Sequence, residues 1–201
     1  SIICIGSDTL LAKEYFNYSD TERNIYLGNI IGMILLLDIG FLFMNILFHN
    51  YLSFIFKIDN YLIYLAIFMA FANAMILINL TLFQLENKSK QYLLFANARN
   101  ILEIIISLIL IVYFGLKWQG KIAGILISAI LFLMITIYLF RSRGIRISMP
   151  NKYGKAILLL GAPLLIVDMS YWANEMIGKI MINNMINISS MGLYSIGYRF
   201  T

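Results

Sequence analysis

Long apolar runs separated by short polar connectors organise this chain. Five stand out: roughly Ile25–Phe48, Tyr61–Leu85, Tyr92–Phe114, Ile122–Phe140 and Ala156–Ile182. Each is close to the ~20 residues that a helix needs to cross a bilayer's hydrocarbon core. The runs are too long for membrane strands and lack their strict alternation, so the pattern predicts α-helices. The connectors ENKSKQ and GLKWQGK are short, which makes the spans they join antiparallel hairpins. Ser1–Leu11 is expected to end an earlier span and Gly192–Thr201 to begin a later one. The expectation is therefore an all-α, polytopic transmembrane bundle, seen as an internal piece of a longer membrane protein, with about five full spans and partial spans at both ends.

Composition makes lipid the solvent. The chain is 61% hydrophobic and 12% charged, with a mean hydropathy of +0.84, where a soluble globule carries about 25% charged residues. The net charge of +5 does not point to nucleic acid, because the basic residues lie in the connectors, as topology signals do. Lys13, Arg23, Lys88, Lys90, Arg141, Arg143, Arg146, Lys152 and Lys155 fall in one set of connectors; Lys57, Lys117, Lys121 and Lys179 fall in the alternate set. Nine against four assigns the first set to the cytoplasm. RSRGIRISMPNKYGK, the longest basic connector, contains Pro150 and is expected to be a cytoplasmic linker over 141–155. It divides the chain into part of one helical lobe (1–140) and the start of another (156–201). Tyr51, Tyr61, Tyr64, Tyr92, Tyr113, Trp118, Tyr138 and Tyr153 sit near run ends, as an interfacial belt would. One cysteine (Cys4) and one histidine (His49) give neither a disulfide framework nor a Cys/His metal site. No phosphate loop, nucleophile elbow or hydrolytic carboxylate pair is found, so no catalytic residue and no enzyme activity are expected.

Function is sought in the polar residues inside the runs, where each charge opposes insertion by roughly 2.5–3.5 kcal/mol. Asp38 lies within the first run, and either lines a cavity or hydrogen-bonds Asn29, Asn45 or Asn73 on a helix face. Arg99 and Glu103, four apart in FANARNILEIII, share a helical face, where they either form a structural pair or leave Arg99 as a cavity cation; Arg99 is also long enough to snorkel to the interface. In the fifth run, Asp168, Asn174, Glu175 and Lys179 form a polar stripe, since seven- and four-residue spacings fall near one face. Gly161 and Pro163 are expected to break or bend that helix, because proline lacks an N–H and clashes with the preceding turn. INNMINISS is expected to be a polar outer loop.

The stretch LLLGAPLLIVDMSYWANEMIGKIMINNMINISSMGLYSIGYRF resembles the seventh helix and following turn of Wzx-type polysaccharide flippases, in the MATE-like exporter superfamily. Ala162-Pro163, the polar centre Trp172-Ala173-Asn174-Glu175 and the turn Gly192-Leu193-Tyr194-Ser195 carry the likeness. LLAKEYFNYSDTERNIYLGNIIG resembles the family's connector between helices two and three. One departure stands out: an Asp-Arg pair common in the family is matched here by Gly178-Lys179. The resemblance implies a two-lobed, MATE-like bundle in the bacterial inner membrane, in which the five runs are helices three to seven. It implies a flippase that moves undecaprenyl-pyrophosphate-linked oligosaccharide for surface polysaccharide synthesis, beside polymerase and glycosyltransferase partners. Arg99 and Lys179 would hold the pyrophosphate, and Asp38, Asp168 and Glu175 a coupling proton or sodium ion. No other cofactor is expected. A drug/cation antiporter of the same fold and a non-transporting membrane scaffold for glycan assembly are the alternatives.

Overall fold

The computed structural model describes residues 11–13, 15–56, 60–148, 154–185 and 188–197; the side chains of 20, 49–56 and scattered positions over 155–196 lie outside that description. Cys4, His49 and Pro150 fall among the residues or side chains not described. From Asp20 onward the described residues form α1 (Asp20–Phe56), α2 (Asn60–Leu85), α3 (Ser89–Val112), α4 (Trp118–Ser142), α5 (Gly154–Met185) and α6 (Ile188–Gly197). There is no strand among the described residues. Among the described residues four helical segments are long and apolar enough to cross a membrane: Thr21–Phe48, Asn60–Leu85, Ser89–Val112 and Trp118–Ser142. These coincide with the first four apolar runs to within a few residues. α1 continues past its span, with a non-helical residue at Phe48 (φ −113°, ψ 18°).

Local chemistry sets the helix ends. Ser19 precedes α1, and its N–H and Oγ both donate to Glu22 Oε2, at 3.3 and 2.8 Å. Glu22 thus supplies one arm of a capping box. α2 and α4 end alike. After α2, Asn87 sits at φ 55°; its N–H donates to the Gln84 carbonyl (3.0 Å), and the Lys88 N–H donates to that of Phe83 (2.8 Å). After α4, Gly144 sits at φ 74°; its N–H donates to the Arg141 carbonyl and the Ile145 N–H to that of Phe140, both 3.0 Å. Both are Schellman closures, with the left-handed position filled once by Asn and once by Gly. Phe140 and Ile145, the residues such a closure brings together, are both buried in the core.

α2 holds the bundle together, touching α1, α3 and α4. From Ala72 to Phe83 it is buried almost all round, as a helix apolar on every face must be when protein surrounds it. α3 and α4 form the most extensive pair. Gly120, Gly124, Ser128, Phe132, Thr136 and Phe140, every fourth residue of α4, are all buried. This is a single ridge along the helix, and its small end faces α3. A Cβ on Gly124 would stand 2.8 Å from the Ser107 nitrogen and 2.9 Å from its Cα. Such backbone approach is how membrane helices associate where lipid removes the hydrophobic drive between them. Most of α3's remaining surface is exposed, including Leu94, Ile101, Leu108 and Val112.

The fifth run forms α5, 32 residues long. Helix is assigned on both sides of Pro163, so the chain is not interrupted there. Pro163 offers no N–H to the Leu159 carbonyl, four residues back, and its ring crowds that carbonyl. The expected loop INNMINISS is largely helical instead: Ile182–Met185 belong to α5 and Ile188–Ser190 to α6. α5 and α6 pack together at Gly178, where a Cβ would lie 3.2 Å from Tyr194 Oη.

Candidate functional site

The mid-span polar residues are where the chain's chemistry departs from its apolar background. Arg99 lies ten residues into α3 and Asn73 thirteen into α2, placing both about 15–20 Å from the ends at which their helices begin. Arg99 Nη2 donates to Asn73 Oδ1. Its Nε is buried and has no hydrogen-bond partner. The Arg99–Glu103 pair is not formed. Glu103 Oε1 instead accepts from Lys121 Nζ on α4, at 2.8 Å. The reason lies in the neighbours: α3 is flanked by α2 and α4, and each side chain reaches across to a different one. Nor does Arg99 snorkel, since its guanidinium is anchored at depth. Among the described residues no carboxylate forms an ion pair with Arg99.

Asp38 is 8% exposed, and its Oδ1 is without a partner. The three asparagines offered as its partners are placed otherwise. Asn73 is engaged by Arg99, Asn29 Nδ2 donates to the Ile25 carbonyl at 2.8 Å, and Asn45 leaves both side-chain polar atoms unsatisfied while only 2% exposed. Asp38 and Asn45 are seven residues apart, so they share one face of α1. Among the further buried polar positions that escaped the sequence reading, Asn79 on α2 and Thr136 on α4 are 0% exposed, with Asn79 Oδ1 and Nδ2 and Thr136 Oγ1 unpartnered. Their signal was present as lone polar letters in ILINLTLF and LMITIYLF. Leaving a buried polar group unpaired costs about 1–3 kcal/mol, so these positions oppose stability.

The α5 stripe is only partly visible. Asn174 is exposed, Lys179 is half-buried, and Gly161 is buried beside an exposed Pro163. The side chains of Asp168 and Glu175 lie outside the described residues.

A second polar cluster lies at the other extreme of depth, where α1 begins and α2 and α4 end. Arg143 Nη2 donates to Glu86 Oε2 at 3.1 Å, and Lys88 Nζ reaches the same oxygen at 2.8 Å. Glu86 and Arg143 are the residues that cap α2 and α4, so this pair ties two helix termini together. The first half of the basic linker is fastened beside them. Asn24 Nδ2 donates to the Arg143 carbonyl (3.1 Å), and the Ser148 N–H donates to the Gly28 carbonyl (3.2 Å). Gly28 is required there, because a Cβ would collide with the Arg146 carbonyl. Ile145, within the linker, and Ile157, just after it, join one core cluster with Leu27, Ile31 and Leu82. No group of three or more metal-ligating side chains occurs among the described residues. No family model, curated protein or solved structure matches this chain.

Proposed function

We propose that this chain is part of a flippase that carries a lipid-linked oligosaccharide with an anionic head across a bacterial inner membrane by alternating access. The observation that carries the reading is Arg99, a mid-span cation bonded to the neutral Asn73 while the nearest acid on its own helix, Glu103, is engaged by Lys121. A cation held in the span interior without a direct ion pair is unfavourable for the fold and suits the capture of an anionic group such as pyrophosphate. In this reading the sugar-bearing head meets Arg99 and, from the other lobe, Lys179 and the polar stripe of α5. Residues 141–155 form the cytoplasmic connection about which the lobes rock. Asp38, with Asp168 and Glu175, holds the coupling proton or sodium ion. The partners are the polymerase and glycosyltransferases of surface polysaccharide synthesis.

The test uses cells that lack the full-length gene and are complemented with it or with variants. Surface polysaccharide and precursor trapped on the cytoplasmic face are both quantified. Arg99→Ala should trap precursor at normal protein levels, and Arg99→Lys should release part of it. Equal loss of folded protein in both would make Arg99 structural. One observation favours a second reading, a drug/cation antiporter of the same fold: the buried Asp38 carboxylate with an unpartnered oxygen. That reading requires lost drug tolerance with unchanged glycan when Asp38 is replaced by Asn.

A further inference from the structure

We propose that the cleft between the α4–linker turn and the start of α1 is a binding site for a phosphate-class anion, distinct from the mid-span groups. The cleft measures about 230 Å³ and is lined by Tyr15, Arg23, Asn24, Glu86 and Arg143, with Leu27, Leu82 and Ile145 as its apolar wall. Pockets for drug-sized ligands begin near ~300 Å³, so this one takes a compact group and not a sugar chain.

The decisive feature is the Arg143 guanidinium. One arm, Nη2, is committed to Glu86, and the guanidinium carbon lies over the Phe83 ring, 5.2 Å from its centre. The other arm, Nη1, is buried and has no partner. An arginine fork with one arm vacant is half of a bidentate oxyanion site. Glu86 does not cancel it, because that one carboxylate already serves both Arg143 and Lys88, leaving the three groups with a charge of +1. Asn24 and the Gly144 closure hold the turn that presents Arg143, so the site is preorganised by backbone. Leu27, Leu82 and Ile145, each at most 5% exposed, lower the local dielectric and strengthen an anion's attraction to the guanidinium.

Phosphate of this kind reaches the site from a lipid headgroup or from solution. The cleft sits level with the ends of three spans, where headgroups lie. The linker supplies Arg143 and Ile145 while α1 and α2 supply the remainder, so an anion bound here would also pin the linker to the first four helices.

The test takes the purified full-length protein in phosphate-free dodecyl maltoside and follows its unfolding temperature. It is titrated separately with phosphatidic acid in mixed micelles, with inorganic phosphate, and with chloride at matched ionic strength. The variants are R143Q, R143K and R141Q, the last removing an exposed neighbouring charge outside the cleft. A saturable rise with phosphatidic acid alone identifies a lipid phosphate; a rise with inorganic phosphate as well identifies the free ion as a ligand. In either case R143Q should weaken half-saturation roughly tenfold, R143K less, and R141Q hardly at all. If R143Q does not fold, R143K against R141Q carries the comparison. No rise beyond that with chloride, or an equal loss in R141Q, overturns the proposal. Transport is not read in this experiment, so its failure leaves the flippase proposal standing, and a failed flippase test leaves this site standing.

Discussion

The bundle treats its polar groups in opposite ways at two depths. Where α2 and α4 end, two Schellman closures absorb the terminal carbonyls, and an ion pair joins the capping residues Glu86 and Arg143. Glu86 stands at a helix C-terminus, where the macrodipole disfavours an acid; Arg143 and Lys88 offset this. Inside the spans, Asp38, Asn45, Asn79 and Thr136 are at least as deeply buried but leave side-chain polar atoms without partners. A fold selected only for stability would resolve the second set as it does the first. Buried polar groups left unsatisfied inside the spans oppose stability, so their retention calls for a reason other than stability. The two regions should therefore answer substitution with opposite signs.

The largest effect should come from the contact that closes the α3–α4 pair, which is a matter of shape and lies outside both polar sets. Gly124→Val forces atoms into the Ser107 backbone and should destabilise by about 3 kcal/mol or more, with Gly124→Ala intermediate. Thermal unfolding of the purified protein checks this. A Gly124→Val protein as stable as wild type would mean that the two helices do not cross there.

Replacing one member of the ion pair comes next. Glu86→Leu leaves Arg143 without its carboxylate at a site where the side chains are 18% and 20% exposed. Fully buried pairs lose 3–5 kcal/mol and exposed ones under 1, so about 2 kcal/mol is expected. The double variant Glu86→Leu/Arg143→Met should recover part of it, giving a measurable coupling in a double-mutant cycle. Additive losses would remove the pair from the account of this end.

Inside the spans the same chemistry should stabilise. Asn45→Leu removes two unsatisfied polar atoms and is expected to raise stability by about 1–2 kcal/mol; Asp38→Leu should act in the same direction. If the proposed function holds, both should lose transport while gaining stability, the trade-off of an active site. Loss of stability in both would mean that these residues find partners in the full-length protein, and the contrast between the two depths would fail.

How much of this was legible in the letters follows the same division. Span limits were legible because burial in lipid demands long apolar runs, and four of them matched to within a few residues. The S-x-x-E at Ser19–Glu22 and the R-G-I at Arg143–Ile145 were legible as local grammar, though neither was singled out. The partners of Arg99 and Glu103 were not legible. Helices apolar on every face carry no stripe that fixes their rotation, and rotation decides whether an arginine meets its neighbour four residues on or an asparagine 26 residues back. Asn79 and Thr136 were passed over for the same reason, since a single polar letter does not say whether it faces lipid or a neighbouring helix.

The smallest effects test whether the two closures are equivalent. A left-handed residue with a Cβ is disfavoured by roughly 1–2 kcal/mol, less for Asn than for Ala. Gly144→Ala should therefore destabilise by about 1 kcal/mol and Gly144→Asn by less, while Asn87→Gly should be neutral or stabilising by a few tenths. The difference matters beyond its size, because Gly144 sets the direction in which the chain leaves α4 to place Ile145 in the core and Arg143 over Phe83, whereas Asn87 only turns the chain into the next hairpin. Gly144→Ala should accordingly also weaken anion binding at the cleft, and Asn87→Gly should leave it unchanged. If both variants moved binding equally, the linker would not be positioned by the α4 closure, and the helix ends would be joined by the ion pair alone.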